Sequence, residues 1–332
     1  MLTAKDADLN PELLLAPVAR CSGLLIAVSG GPDSMALLRL AAAWRDKAAT
    51  PPLAAATVDH GLRPEAADEA TKVSQWSRAL GIPHTILVWR GERPATGIQA
   101  KARRARYGLL FDHMREINAT ALATAHHADD QWETVMIRLA RGSGISGLAG
   151  MAADQDRLGG RHVRPLLHVS KASLVEYCRR CGQEFFDDPS NADSRFARSA
   201  WRELYTPLSG LGLTRERAAK VCERAEKFDR ALEWAAGRLL SDTAIATEDN
   251  AYDLANAGDT PQAIMEYFLQ NALVKAAGHP APRLERLERL AGRLSLALRS
   301  ETGLRTTLGG CTFALDGQQL RIGLEPERKR GV

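Results

Sequence analysis

Leu24-Leu25-Ile26-Ala27-Val28 runs directly into Ser29-Gly30-Gly31-Pro32-Asp33-Ser34 and then into Met35-Ala36-Leu37-Leu38-Arg39-Leu40. The unbroken apolar run reads as a buried strand, and Leu37, Leu38, Leu40 and Ala41 recur as a helix start requires. Gly30 and Gly31 between them let the backbone turn tightly and approach a ligand. Ser29, Asp33 and Ser34 are capping residue types, and the first amides of such a helix favour an anion. A phosphate site follows. It is not a P-loop, because no Lys follows the glycines, and no G-x-G-x-x-G is present. The serine-hydrolase elbow G-x-S-x-G fails at Ala27, where its first Gly belongs.

The rest of the chain surrounds this strand with more of the same. Over 332 residues the length prior gives about two domains, and 45% hydrophobic with 25% charged residues is an ordinary globular composition. A net charge of +4 permits a nucleic-acid partner without requiring one. The cysteines (Cys21, Cys178, Cys181, Cys222, Cys311) are odd in number and scattered, as expected of reduced thiols. No signal peptide or bilayer-length apolar run is visible, so the expectation is a soluble, cytoplasmic protein with no membrane partner.

Beyond the first helix, Leu53 to Val58 reads as a strand that delivers Asp59-His60-Gly61-Leu62-Arg63, and Pro64 opens a helix ending at Gly81. Thr85 to Trp89 and Ala119 to Ala125 are further strands, with a basic helix from Gln99 to Asn118 between them. His126 to Arg141 is helical. Alternating strands and helices predict a parallel sheet covered on both faces, with ligands at the strand C-termini. The Gly loop, Asp59-His60 and His126-His127 all fall there, so one site built from three loops is expected. The pattern weakens after Gly150, apart from a helix at Ser170 to Arg180. Long charged helices follow from Thr214, then a leucine stripe (Leu284, Leu287, Ala291, Leu294, Leu298) with arginines on its other positions, and a small β-hairpin turning at Asp316-Gly317. The expected division is 1–210, 211–282 and 283–332, an α/β domain with a Rossmann-like parallel sheet followed by a mostly helical C-terminal part with a small hairpin.

His126-His127-Ala128-Asp129-Asp130-Gln131-Trp132-Glu133-Thr134 carries the chemistry. On a helix His126, Asp130 and Glu133 form a single stripe about 10 Å long. A His and two carboxylates beside a phosphate site suit Mg²⁺ and the orientation of a nucleophile. A zinc site is the rival, without H-E-x-x-H or a nearby cysteine. A solvated first turn accounts for Asp129, whose charge favours a helix N-terminus, but not for adjacent histidines at a strand end.

Ser29 to Ser34 resembles the S-G-G-x-D-S loop of N-type ATP pyrophosphatases. Together with Val58 to Arg63, Ala102 to Tyr107 (A-R-R-A-R-Y), His126 to Thr134, Arg141 to Leu148, Arg164 to Leu167 and Asp188 to Asp193, it is similar in order to the tRNA(Ile)-lysidine synthetases over about residues 24–208. The resemblance implies an adenine nucleotide alpha hydrolase-like fold. It also implies a ligase in which ATP adenylates the C2 oxygen of the wobble cytidine of a tRNA(Ile) with a CAU anticodon. The ε-amine of free L-lysine then displaces AMP to give lysidine; the alternatives are another tRNA-modifying ATP pyrophosphatase of the thiolase type and a non-catalytic nucleotide- or tRNA-binding relative. It implies, further, that Ser29, Gly30, Gly31, Pro32, Asp33 and Ser34 cradle the ATP phosphates and that Asp59 and His60 lie against the nucleotide. Asp33 and Asp130 would hold Mg²⁺ or the lysine ammonium, and His126 or His127 would contact phosphate or relay a proton. Glu133 would complete the catalytic face, and Arg106 or Arg103 would neutralise the α-phosphate. A homodimer stays open as the assembly. Where the family usually reads Arg-Asn-x-(Ile or Val)-Arg, this chain has Arg198-Ser199-Ala200-Trp201-Arg202.

Cys178-Arg179-Arg180-Cys181 is a single C-x-x-C on a helix with no second pair to complete four metal ligands, so it reads as packing. The arginines of the C-terminal stripe offer a tRNA-phosphate surface, with a solvated helix face as the equal alternative.

Overall fold

A computed structural model describes residues 9–61, 66–90, 98–186, 197–246, 248–278 and 282–326, with helix backbone only at 98–100 and 197–199. The expected helix start at Pro64, the Asp188 to Asp193 stretch, the break at Pro280 and the tail at 327–332 lie outside them.

The chain divides into two compact units, Met1–Ala140 with Gly150–Lys220, and Arg141–Ala149 with Val221–Val332. The first holds α1 (Pro11–Leu15), β1 (Leu24–Ala27), α2 (Pro32–Arg45), β2 (Leu53–Asp59), α3 (Ala66–Ala79), β3 (His84–Val88), α4 (Ile98–Glu116), β4 (Ala121–Ala123) and α5 (Ala128–Ala140). After the excursion into the second unit it continues with β5 (Asp154–Arg157), β6 (Gly160–Val163), α7 (Lys171–Arg180) and α8 (Ala197–Gly210). The sheet order is β3-β2-β1-β4-β6-β5. Every neighbouring pair is parallel except β5 with β6.

Side chains of β1 alternate between two cores, as the period of a strand demands. Leu24 and Ile26 join Met35, Leu38 and Leu174 on the α2–α7 side. Leu25 and Ala27 join Tyr107, Leu110 and Phe111 of α4 on the other. A strand buried on both faces cannot alternate polar with apolar, which explains the continuous apolar run. The antiparallel pair β5–β6 was invisible at Asp154 to Val163 because it sits at the sheet edge, where the burial pattern of β5 gives no apolar period.

The second unit holds α6 (Ile145–Leu148), most of α9 (Arg215–Thr243), β7 (Ala251–Asp253), α10 (Gln262–Ala277), α11 (Leu284–Arg299), β8 (Leu304–Leu308), β9 (Cys311–Asp316) and β10 (Gln319–Leu324). The expected hairpin is part of a four-stranded sheet, β7-β10-β9-β8. Asp316 pairs with Gln319, so the two loop residues are Gly317, at φ +55°, and Gln318, one position later than the Asp-Gly reading. Phe268, Leu273, Leu287, Leu294, Phe313 and Leu320 share one core, so residues on both sides of the expected break at 282 pack together.

Candidate active site

Ser34 closes the glycine loop. Its hydroxyl donates to the Gly31 carbonyl (3.0 Å) and accepts from the Ser29 amide (3.1 Å), with the Ser29 hydroxyl 3.3 Å away. Gly30 stands at φ +86°, and a Cβ there would lie 2.7 Å from the Phe186 ring, whose amide donates to the Gly30 carbonyl. Gly31 is different: its φ and ψ of −72° and 163° suit any residue, and a Cβ would meet nothing within 4 Å. It caps α2 without a side-chain hydrogen bond, and Pro32 follows at the first helical position. The first amides of α2 are therefore left for an anion in the open space above Gly31.

His127, only 3% exposed, stands between two carboxylates. Its Nε2 is 3.4 Å from Asp33 Oδ2 and 3.4 Å from Asp130 Oδ2. Its backbone amide donates to Asp130 Oδ2 (3.1 Å), and the Asp130 amide reaches back to His127 Nδ1 (3.4 Å), a reciprocal cap on α5. Burial pulls the His127 pKa down, but its hydrogen bond to Asp33 and the charges of Asp130, Asp33 and Asp129 outweigh this and raise it. Asp33 Oδ1 is buried with no hydrogen-bond partner among the described residues. Asp129 Oδ2 lies 3.7 Å from His127 Nδ1, and this carboxylate also pairs with the Arg215 guanidinium (2.6 Å) and accepts from the Lys171 amide (2.9 Å).

His126 is not on the expected stripe. α5 begins at Ala128, so His126 belongs to the strand-to-helix turn and faces β6 instead. Its Nδ1 lies 2.8 Å from Thr124 Oγ1, which lies 2.9 Å from His162 Nε2. Burial and the charges of Arg164, Arg103 and Arg106 hold the His126 pKa down at about 2 and, with Arg157, that of His162 at about 3. Both rings are neutral at physiological pH. The two adjacent histidines thus occupy opposite electrostatic environments.

Glu133 is on α5 but faces away from solvent, 1% exposed, and pairs with Arg202 of α8 at 2.5 Å. Burial disfavours the Arg202 charge, but Glu133, Asp130 and Asp33 restore it and raise its pKa. Trp132, edge-on to Trp201 and Tyr205, donates its indole N–H to the Leu213 carbonyl at 2.8 Å. These contacts fasten the segment after α8 to α5.

A cleft of about 280 Å³ opens at the C-terminal ends of β1 and β2, lined by Ser29, Val58, Asp59, His60 and Arg106 among others. The Asp59 carboxylate accepts from the Gly61 amide (2.7 Å), a local turn. Burial and the charge of Arg106 lower the pKa of His60, whose Nδ1 is buried without a partner. Arg106 reaches the cleft from α4 and, among the described residues, makes no hydrogen bond or ion pair. A permanent cation on a partly buried wall suits an anionic ligand. Asp33 and Asp130 thus meet around His127, while His60 and Arg106 line the cleft with Ser29. Among the described residues no group of three or more His, Cys, Asp or Glu could hold a metal ion by itself. Cys178 is buried, with its thiol donating to the Pro32 carbonyl at 3.4 Å and its pKa pushed up to about 12 by burial. That is packing behind the loop.

Sequence reasoning missed His162 and did not foresee the pairings of Arg202 and Arg215. Each meets its partner across a long sequence separation, and no local period marks such pairs.

A family model described as the PP-loop domain matches residues 7–208. The tRNA(Ile)-lysidine synthase of Methylobacterium sp. (strain 4-46) is 44% identical over 318 residues, covering 94% of this chain and 91% of that one. That of Rhodopseudomonas palustris is 40% identical over 329 residues, with 96% and 95% covered. Among solved structures, a U34-tRNA thiolase from Methanococcus maripaludis, with its 4Fe-4S cluster, superposes with a TM-score of 0.56 at 16% identity. That match covers 65% of this chain and 77% of the other, and speaks to the fold alone.

Proposed function

The chain belongs to the PP-loop ATP-binding family and, within it, to the tRNA(Ile)-lysidine synthases, and from that premise we propose how its residues carry the reaction. It is an ATP-using enzyme that forms lysidine in a tRNA. The proposed course has two displacements. The C2 oxygen of the wobble cytidine of a tRNA(Ile) with a CAU anticodon attacks the α-phosphorus of ATP, and pyrophosphate leaves. The ε-amine of free L-lysine then attacks C2, the C2–O bond breaks and AMP leaves.

The observation that carries this reading is the approach of Asp33 and Asp130 to His127 beside the uncapped start of α2. The loop amides and α2 take the departing pyrophosphate, and the open space above Gly31 leaves room for it. The nucleoside lies in the cleft against the backbone of Val58 to His60, and the guanidinium of Arg106, unpaired among the described residues, faces the α-phosphate. Asp33 and Asp130 also suit the ε-ammonium of lysine, holding the amine next to the reacting carbon. Glu133 acts by holding Arg202 rather than by reacting.

Mg²⁺ fits the same carboxylates. Asp33 Oδ1 is an orphaned buried oxygen, and Mg²⁺ is commonly held by one or two carboxylates plus substrate phosphates, not by an all-protein cage. When bound it would neutralise phosphate charge as pyrophosphate departs. The exposed Arg286, Arg289 and Arg293 on one side of α11 are proposed to touch tRNA phosphates.

The test is pyrophosphate release from ATP, measured with and without tRNA and lysine. Release that requires the CAU tRNA, with lysidine appearing only when lysine is added, is the expected result. Release indifferent to tRNA overturns the assignment.

A further inference from the structure

His162 and Arg164 stand outside the roles assigned so far, yet they end a continuous hydrogen-bonded chain on His126. The pairing of β4 with β6 sets Leu122 opposite His162, and the Thr124 amide donates to the Val163 carbonyl at 3.0 Å, so Thr124 and His162 meet across the strands. Thr124, His162 and Arg164 are 2%, 0% and 5% exposed. Tyr107 and Phe111 close over His162 with their ring centroids 5.3 and 6.2 Å from it. Arg164 is itself held by the Ala152 carbonyl.

Donor chemistry fixes the direction of the first two links of this chain. A guanidinium only donates, so at 3.2 Å from Arg164 Nη2 the His162 Nδ1 is the acceptor. The His162 proton is then on Nε2 and is donated to Thr124 Oγ1 at 2.9 Å. Thr124 Oγ1, accepting there, keeps one hydroxyl proton, and among the described residues His126 Nδ1 at 2.8 Å is placed to take it. With Nδ1 accepting, neutral His126 carries its proton on Nε2.

We infer that Thr124, His162 and Arg164 are positioning residues that fix His126 in its Nε2–H tautomer, so that it offers a neutral donor to a phosphate oxygen of the bound nucleotide. The phosphate follows from place. His126 leaves the C-terminal end of β4, which neighbours the β1 strand that ends in the glycine loop. It is also close enough to Arg103 and Arg106 for their charges to act on it, and Arg106 lines the cleft. Burial first, and then the charges of Arg164, Arg103 and Arg106, disfavour a charged ring, so its contribution is a directed hydrogen bond and not another cation. The inference rests on the nucleotide reading of the cleft.

Two measurements separate the relay from that reading. Long-range ¹H–¹⁵N correlation on the full-length protein, with His126 assigned by its loss in His126→Gln, reports the tautomer directly. The Nε2–H form is expected at pH 7, unchanged down to pH 5. Thr124→Val removes the hydroxyl at nearly constant volume. It is expected to release the tautomer and slow pyrophosphate formation about ten-fold, whereas Thr124→Ser keeps the tautomer and most of the rate. An Nδ1–H or protonated His126 in the unmodified protein overturns the relay, and this spectrum decides even if Thr124→Val fails to fold. Thr124→Val with an unchanged rate overturns the role in the reaction. An unmodified enzyme that makes no lysidine refutes instead the reaction proposed for this chain, whatever the tautomer.

Discussion

The carboxylate of Glu133 meets the guanidinium of Arg202 at 2.5 Å across 69 residues of sequence, with the acid 1% exposed. A buried ion with its partner removed is costly, typically about 3–5 kcal/mol. Arg202→Met, which takes this guanidinium from the buried Glu133 carboxylate, is therefore expected to lower the urea midpoint strongly. Glu133→Gln combined with Arg202→Met should lose less than the two single changes added together. Additive losses in equilibrium unfolding would show that the two side chains do not act as a pair.

Gly30 and Gly31 are adjacent but make opposite demands. Gly30→Ala places a methyl group 2.7 Å from Phe186 on a left-handed backbone, and a loss of about 2 kcal/mol or more of stability is expected. Gly31→Ala adds a methyl group to open space on an ordinary backbone, so its stability should stay within about 0.5 kcal/mol. If phosphate occupies that space, the KM for ATP rises in the stable variant. Unchanged ATP kinetics for Gly31→Ala would remove the phosphates from above this residue.

Arg106 lies partly buried without a carboxylate partner among the described residues. Replacing such a charge by an apolar chain of similar length is neutral or mildly stabilising. Arg106→Met should thus keep its thermal midpoint while kcat/KM for ATP drops at least ten-fold. A variant that melts early and binds ATP normally contradicts the assignment.

Three histidines, His84, His126 and His162, weaken the fold in acid, while His127, whose pKa is raised, opposes them. Folded pKa values are about 4 for His84, about 2 for His126 and about 3 for His162, each lowered mainly by burial from the ordinary 6.5. A base with a depressed folded pKa leaves the unfolded chain holding more protons, so stability is full above pH 6.5 and falls as the solution is acidified toward those values. At pH 5 each histidine removes up to about 2 kcal/mol. Denaturant midpoints at pH 7.5 and 5 should differ accordingly, and His84→Gln should shrink the difference. A midpoint that rises on acidification from pH 7.5 to 5 would reverse this sign.

Much of the α/β unit was readable because its signals are local. An apolar run into Ser29-Gly30-Gly31 specifies strand, turn and helix within a dozen residues, and alternation of such units implies parallel pairing. Strand C-termini then bring Gly31, Asp59 and His127 to one edge whatever the details of packing. The edge pair β5–β6 and the four-stranded sheet of the second unit were only partly legible, because short strands with one wet face leave little periodicity.

The sequence by itself determined the strand, turn and helix of the glycine loop, the family and the residue types that converge at the strand ends, since each depends on neighbours in the chain. Tertiary structure alone decided how those residues are paired and buried. It separated His126, neutral and tied through Thr124 to His162, from His127, whose charge is favoured by Asp33 and Asp130. It also spent Glu133 on Arg202 and Asp129 on Arg215, and left an Asp33 oxygen without a partner. The physical reason is that protonation and pairing follow burial and charges brought together from distant segments, and no spacing within one segment records them.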